Sequence, residues 1–231
     1  MLILALDTAT PSGSIAVLRD ELLIGVVATS SSENYSSRMF RHLDFLLRDQ
    51  NLQISEIELF AVAAGPGSFT GLRVGLAAVK GWAEVYSRPI AAVSGLEAVA
   101  SEACIGTGLI APFLDARRSQ VYGALYRSLD AGLVRIGDEC VMPPTEFLKL
   151  TEQEAGREPV RLISPTPELI DAAWRESALA LVPVERVSSV LSPAIGRLGL
   201  SRARRGQLVD ALHLEASYVR TSDAVPLWKD K

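Results

Sequence analysis

Leu2 to Asp7 is a continuous apolar run that ends on an acid, the pattern of a buried strand. Thr8 to Gly13 (TATPSG) reads as a turn, Ser14 to Leu18 as a second strand and Leu22 to Thr29 as a third, with Arg19-Asp20-Glu21 turning between them. Three such runs in succession predict an antiparallel meander. Thr29 to Asn34 (TSSSEN) is polar and supplies a helix N-cap. Met39, Leu43, Leu46 and Leu47 then recur at helical spacing and predict a helix over 35–50. Ile57 to Ala64 is a further strand, 70–86 a second helix, Ile90 to Val93 a strand and Gly95 to Glu102 a third helix.

The pattern then restarts. Leu109 to Leu114 is a strand followed by Asp115, with strands over Gln120–Arg127 and Leu133–Val141 joined by a turn at Ser128–Gly132. Thr145 to Leu150 is a short helix and Val160 to Ile163 a strand. Thr166-Pro167 opens a helix expected to reach Ala180, with Pro at the favoured first position. Leu181 to Glu185 is a short strand, and Ser192-Pro193 opens a last helix closed near Gly206. Two halves that each open with a strand, an acid and a hairpin suggest an internal duplication in an α/β protein. The expected division is a first lobe over 1–104, a smaller second lobe over 105–191, the 192–206 helix completing the first lobe, and a tail over 207–231.

The most informative stretch is Gly-Pro-Gly-Ser-Phe-Thr-Gly-Leu-Arg at 65–73, where a glycine-rich turn joins a strand to a helix. Such a turn presents backbone N–H groups at a helix N-terminus, where anions are favoured. A P-loop is excluded because no Gly-Lys pair occurs in the chain, and Gly-x-Gly-x-x-Gly is missed by one position. Gly65, Gly67 and Ser68 therefore either cradle a phosphate or make a tight turn capped by Ser68. Asp7 and Asp115 likewise either face a ligand across a cleft or cap their own turns.

Bulk properties narrow the chemistry. The 231 residues are 48% hydrophobic and 22% charged, ordinary for a globular protein, and the net charge of −4 gives no global drive toward nucleic acid. Two cysteines, Cys104 and Cys140, make no disulfide framework. No apolar run approaches the roughly 20 residues of a membrane span, and the cytoplasm is the expected compartment. The only histidines are His42 and His213, too far apart for a metal-binding pair on one helix. Arg197, Arg202, Arg204 and Arg205 cluster on the last helix, either as a solvated face or as a contact for tRNA phosphates.

LALDTAT at the start, AVAAGPGSFTGLRVGLAAVKGWA at 61–83, VSGLEAVA at 93–100 and FLDARRSQVY at 113–122 together resemble the TsaB family, a subunit of the bacterial machinery for threonylcarbamoyladenosine in tRNA. The resemblance is close over the first 125 residues and looser beyond. It implies a two-lobed actin-like, ribonuclease H-like fold, each lobe a mixed sheet flanked by helices. It also implies a non-catalytic subunit that binds and supports the catalytic subunit TsaD, together with TsaE, and meets tRNA only indirectly. The peptidase label of the wider superfamily is not expected to apply, because the His ligands are lacking. No intrinsic cofactor is implied, with ATP or ADP at the TsaD interface and a vestigial nucleotide site at Asp7, Gly65, Gly67, Ser68 and Asp115 as the nucleotide expectations.

The implied contact is a helix bundle made by the first two helices of each partner. Arg38, Thr70, Gly71, Arg73, Val74, Gly75, Ala78 and Trp82 are its candidate residues here. Gly71, Gly75 and Gly81 fall within one helix, where each costs about 1 kcal/mol relative to alanine, and close approach of a partner helix is one reason for them. Packing on this chain's own sheet is the other. This chain departs from the family in carrying Tyr35-Ser36-Ser37 where members often have His-Ser-Glu. A stand-alone actin-like small-molecule kinase or ATPase is the alternative function, and a homodimer through the same helices is compatible with the first reading.

Overall fold

The computed structural model describes residues 1–29, 35–103, 107–129 and 132–219. The expected helix N-cap at 29–34 and part of the turn at 128–132 lie outside the described residues, as does the tail beyond 219. Ten strands form two five-stranded sheets. The first contains β1 (Leu2–Asp7), β2 (Ser14–Arg19), β3 (Leu22–Ala28), β4 (Leu59–Gly65) and β5 (Ile90–Ser94), in the order β3-β2-β1-β4-β5. β1, β2 and β3 are antiparallel, whereas β4 and β5 run parallel to β1.

The second sheet repeats that plan. It is built from β6 (Gly108–Asp115), β7 (Val121–Leu129), β8 (Gly132–Met142), β9 (Val160–Ser164) and β10 (Val184–Arg186), ordered β10-β9-β6-β7-β8. β6–β8 form the antiparallel meander, and β9 and β10 run parallel to β6. Read from the meander edge, the two sheets have the same order and the same strand directions. The duplication suggested by two Asp-ending strands is thus a duplication of topology.

The helices are α1 (Tyr35–Asp49), α2 (Phe69–Tyr86), α3 (Gly95–Ser101), α4 (Pro144–Ala155), α5 (Asp171–Arg175) and α6 (Ser192–Arg204). β1 and β4 are buried along their whole length, as strands covered on both faces must be. α2 packs on β4 from one face, and α6 lies on β1, β2, β4 and β5. α3 contacts β6 and β7 as well as β4 and β5, so the main core runs from the first lobe into the second. A smaller core under α4 and α5 is built around Phe113, Phe147 and Leu162. After α6 the chain returns along the first lobe. Val209 bridges Ile90 through two backbone hydrogen bonds of 2.8 and 2.9 Å, and the Ser217 amide donates to the Ala64 carbonyl at 2.7 Å.

Three local expectations are corrected. The helix expected from Thr166 to Ala180 is instead a 3-10 turn at Pro167–Ile170 followed by the five residues of α5. Ser177 ends it: its hydroxyl donates to the Trp174 carbonyl and accepts from the Leu179 amide, a local alternative to continuing the helix. The strand expected at Leu181–Glu185 begins only at Val184, because Leu181 sits in a turn at 97% exposure. The Thr145–Leu150 helix extends to Ala155, where Phe147, Leu148, Thr151 and Ala155 share its buried face.

Candidate functional site

The two β-hairpin turns and the glycine turn converge on one cleft between the lobes. Its larger part is a cavity of about 310 Å³ lined by the turn after β1, the start of α1, the N-terminus of α2 and the turn after β6. A more apolar extension of about 160 Å³ runs past Pro66, Leu114, Tyr122 and Pro165.

Asp7 lies beneath this cleft, fully buried. One carboxylate oxygen accepts the Ala9 and Thr10 amides at 2.9 and 3.3 Å, and the other accepts the Thr10 hydroxyl. Burial pushes the carboxyl above its ordinary range, and these hydrogen bonds oppose the shift. Asp7 therefore acts on its own turn. Asp115 does the same in the second lobe: it accepts the Arg117 amide at 2.7 Å and pairs with the Arg117 guanidinium at 3.2 Å. Arg117, Arg118 and Ser119 follow in left-handed conformation, with φ of 60°, 54° and 56°. For non-glycine residues this costs about 1–2 kcal/mol each, and it turns the hairpin back toward the cleft.

The glycine turn is locked to the first hairpin. The Thr8 hydroxyl donates to the Gly71 carbonyl at 2.7 Å, and the Ser68 amide donates to the Ala9 carbonyl at 2.9 Å. Ser68 is the N-cap of α2, its hydroxyl accepting the Gly71 amide at 3.2 Å. Gly65 has φ +136° and lies against the Ser217 carbonyl, a position only glycine fills without strain. A Cβ on Gly67 would come within 3.0 Å of Ala9.

The three α2 glycines separate by position. A Cβ on Gly71 would collide with the Thr8 carbonyl, and one on Gly75 with the Thr8 hydroxyl, in each case closer than 3.0 Å. Both are small because α2 crosses the β1 hairpin, which corrects the expectation that a partner helix explains them. Gly81 has nothing within 4 Å of its Cβ position. It belongs to an outward face with Thr70, Arg73 and Ala77, flanked by half-buried Val74, Ala78 and Trp82. Exposed Phe40 of α1 meets Trp82 edge-on at 6.3 Å, and Val85 is also exposed. Arg73 stacks over Phe69 at 3.7 Å, and Phe69 packs on Tyr218 at 5.2 Å. Arg38, expected on this face, is only 4% exposed and turns inward: α1 places it one turn after Tyr35, where it donates to the Thr29 carbonyl and hydroxyl at 2.7 and 2.6 Å.

Other candidates are accounted for by local partners. Arg202 binds the Ala92 carbonyl and Glu97, and Arg204 pairs with Glu21 at 2.7 Å, so the last helix uses two of its arginines within the first lobe. His213 sits 2.7 Å from Asp210. No group of three His, Cys, Asp or Glu side chains that could hold a metal occurs among the described residues. No helix among them is long and apolar enough to cross a membrane. Sequence reasoning did not single out Phe40, Tyr218 or the unusual Arg117–Ser119 turn. Phe40 was legible as an apolar residue off the buried α1 stripe, whereas the Tyr218 contact depends on the returning C-terminal segment.

Two duplicated β3-β2-β1-β4-β5 lobes enclosing a cleft define a protein of the two-lobed actin-like class. Residues 17–171 match the family model described as TsaD: tRNA N6-adenosine threonylcarbamoyltransferase. The chain is 40% identical over 154 residues to the tRNA threonylcarbamoyladenosine biosynthesis protein TsaB of Bacillus subtilis, covering 67% of each chain. It is 29% identical to the Escherichia coli protein of the same name, covering 99% of this chain and 97% of that one. The solved structure of YeaZ from Pseudomonas aeruginosa superposes with a TM-score of 0.70 at 25% identity, covering 94% of this chain and 99% of that one. The chain belongs to the TsaB family.

Proposed function

We propose that this chain is a docking subunit in the biosynthesis of threonylcarbamoyladenosine in tRNA, and that it supplies no catalytic group of its own. The names of its Bacillus subtilis and Escherichia coli relatives support the pathway. The observation that carries the docking role is the outward face of α2. Ala77 and Gly81 form a strip with no side-chain bulk, bordered by the exposed rings and methyls of Phe40, Trp82 and Val85. Exposed large apolar groups beside a shallow helical groove suit another helix, which can approach closely over small residues. The occupant proposed is the first helical pair of a TsaD-type catalytic subunit, with TsaE joining that pair and tRNA contacted through the catalytic subunit.

The stand-alone kinase is the weaker reading, because the Asp7 and Asp115 carboxylates are engaged by their own turns. The test is reconstitution of tRNA modification from purified subunits. Omitting this chain should remove the product, and the chain with ATP and tRNA alone should make none. Product formed at full rate without it overturns the proposal.

A further inference from the structure

Two buried polar side chains in the inter-lobe cavity lack the partners their chemistry requires. Tyr35 is 9% exposed, and its hydroxyl has no hydrogen-bond partner. Its ring is wedged against Gly13 and cannot swing away. Burial, with Asp7 nearby, pushes the phenol above its ordinary range, so the hydroxyl remains a donor. Arg38 packs on the Tyr35 ring at 4.8 Å. Its Nη1 is satisfied by Thr29, its Nε is buried without a partner, and no carboxylate pairs with it among the described residues. A buried unpaired guanidinium is costly and is ordinarily compensated by an anion.

Both side chains line the 310 Å³ cavity at the place where α2 begins. The α2 N-cap hydroxyl takes the Gly71 amide, and the Leu72 amide donates to the Ser68 carbonyl. The Phe69 and Thr70 amides are the two first-turn donors with no acceptor among the described residues. They add the positive end of an 18-residue helix to the guanidinium. Asp115, the carboxylate on the opposite wall, is neutralised by Arg117. The cavity therefore holds an excess of donors and of positive charge.

We propose that this cavity binds a phosphoryl group between the N-terminus of α2 and the buried Arg38–Tyr35 pair. The donors available are the Arg38 Nε, the Tyr35 hydroxyl, the Phe69 and Thr70 amides and the Thr70 hydroxyl. They outnumber the lone-pair sites of a carboxylate, about four, and suit the oxygens of a tetrahedral dianion. The site does not depend on docking to a catalytic subunit, since every donor belongs to this chain.

The test is a titration of the isotope-labelled chain with inorganic phosphate at fixed ionic strength, followed through backbone amide shifts. Saturable shifts at Phe69 and Thr70 are expected. Tyr35→Phe, which removes one oxygen, should weaken binding about tenfold, the size of a hydrogen bond to a charged group. Arg38→Gln should abolish binding. If circular dichroism shows that this variant fails to fold, Tyr35→Phe decides alone. Competition with ADP distinguishes a nucleotide phosphate from the free ion: displacement of phosphate by ADP but not by adenosine assigns the site to a nucleotide's phosphate, and binding of phosphate without such displacement assigns it to the free ion. No saturable shift at Phe69 and Thr70, acetate binding as tightly as phosphate, or unchanged affinity in Tyr35→Phe overturns the proposal.

Discussion

Replacing the three α2 glycines by alanine one at a time separates what the helix needs for its own fold from what it offers to a partner. In an exposed helix interior Gly→Ala stabilises by about 1 kcal/mol. Gly81→Ala adds a methyl into open space, so the full gain is expected, a rise in Tm of about 2–4 °C for a chain of this size. At Gly75 the same gain is opposed. The new Cβ would press on the Thr8 hydroxyl, which is buried and already donates to the Gly71 carbonyl at 2.7 Å. Overpacking costs about 1–3 kcal/mol, and displacing that hydroxyl loses a hydrogen bond of about 1 kcal/mol. The net expectation is a loss of about 1–3 kcal/mol. Gly71→Ala is worse, because its Cβ meets the Thr8 carbonyl, a backbone atom that cannot rotate aside. Urea denaturation of the isolated chain at low concentration should rank stability as Gly81→Ala, wild type, Gly75→Ala, Gly71→Ala, from highest to lowest. A Gly75→Ala chain as stable as wild type, or a Gly81→Ala chain less stable, would refute the assignment of inward and outward faces.

Other expectations follow from buried charges. Glu139 accepts the Ser94 hydroxyl across the lobe junction, with Tyr126, Glu97 and Arg135 around it, and burial raises its carboxyl above the ordinary 4.5. Above that value the unfolded chain releases a proton that the native chain keeps, so this group's contribution to stability falls as pH rises. Glu139→Gln should flatten that part of the pH profile, and an unchanged slope in denaturant titrations would contradict it. Arg202→Met should destabilise by about 1–3 kcal/mol, because it strands the half-buried Glu97 and the Ala92 carbonyl. Its effect should appear in thermal unfolding of the isolated chain, and a stable variant with altered tRNA affinity would return the basic helix to a nucleic-acid role.

Much of the fold was legible because strands buried on both faces announce themselves as apolar runs, as β1 and β4 do, and because each lobe restarts with the same strand–acid–hairpin signal. The Thr166–Ala180 region was misread because Pro167 is a good helix opener, while the hydroxyl of Ser177, which ends the helix, acts through bonds that a periodic pattern does not display. At the site, Gly65, Gly67 and Ser68 were read as either a tight turn or a phosphate cradle, and the structure shows all three supporting the turn. The purpose of Gly71 and Gly75 was not legible, since sequence marks a small residue without saying which neighbour requires it. Arg38 was legible as a charge on α1 but not as a buried one. Its helix phase places it at the edge of the apolar stripe, where only the packing of Tyr35 and Thr29 decides its direction.

The central claim is that α2 presents its Ala77–Gly81 face to a TsaD-type catalytic subunit. Light scattering of the purified pair, with the wild-type chain and with Gly81→Trp, tests it most directly. An indole at Gly81 meets nothing in the isolated chain, so the variant should fold and keep its thermal midpoint within a few degrees. The account predicts a stable heterodimer with wild type and free subunits with Gly81→Trp. A Gly81→Trp chain that still forms the heterodimer, or a wild-type chain that forms none, would contradict it.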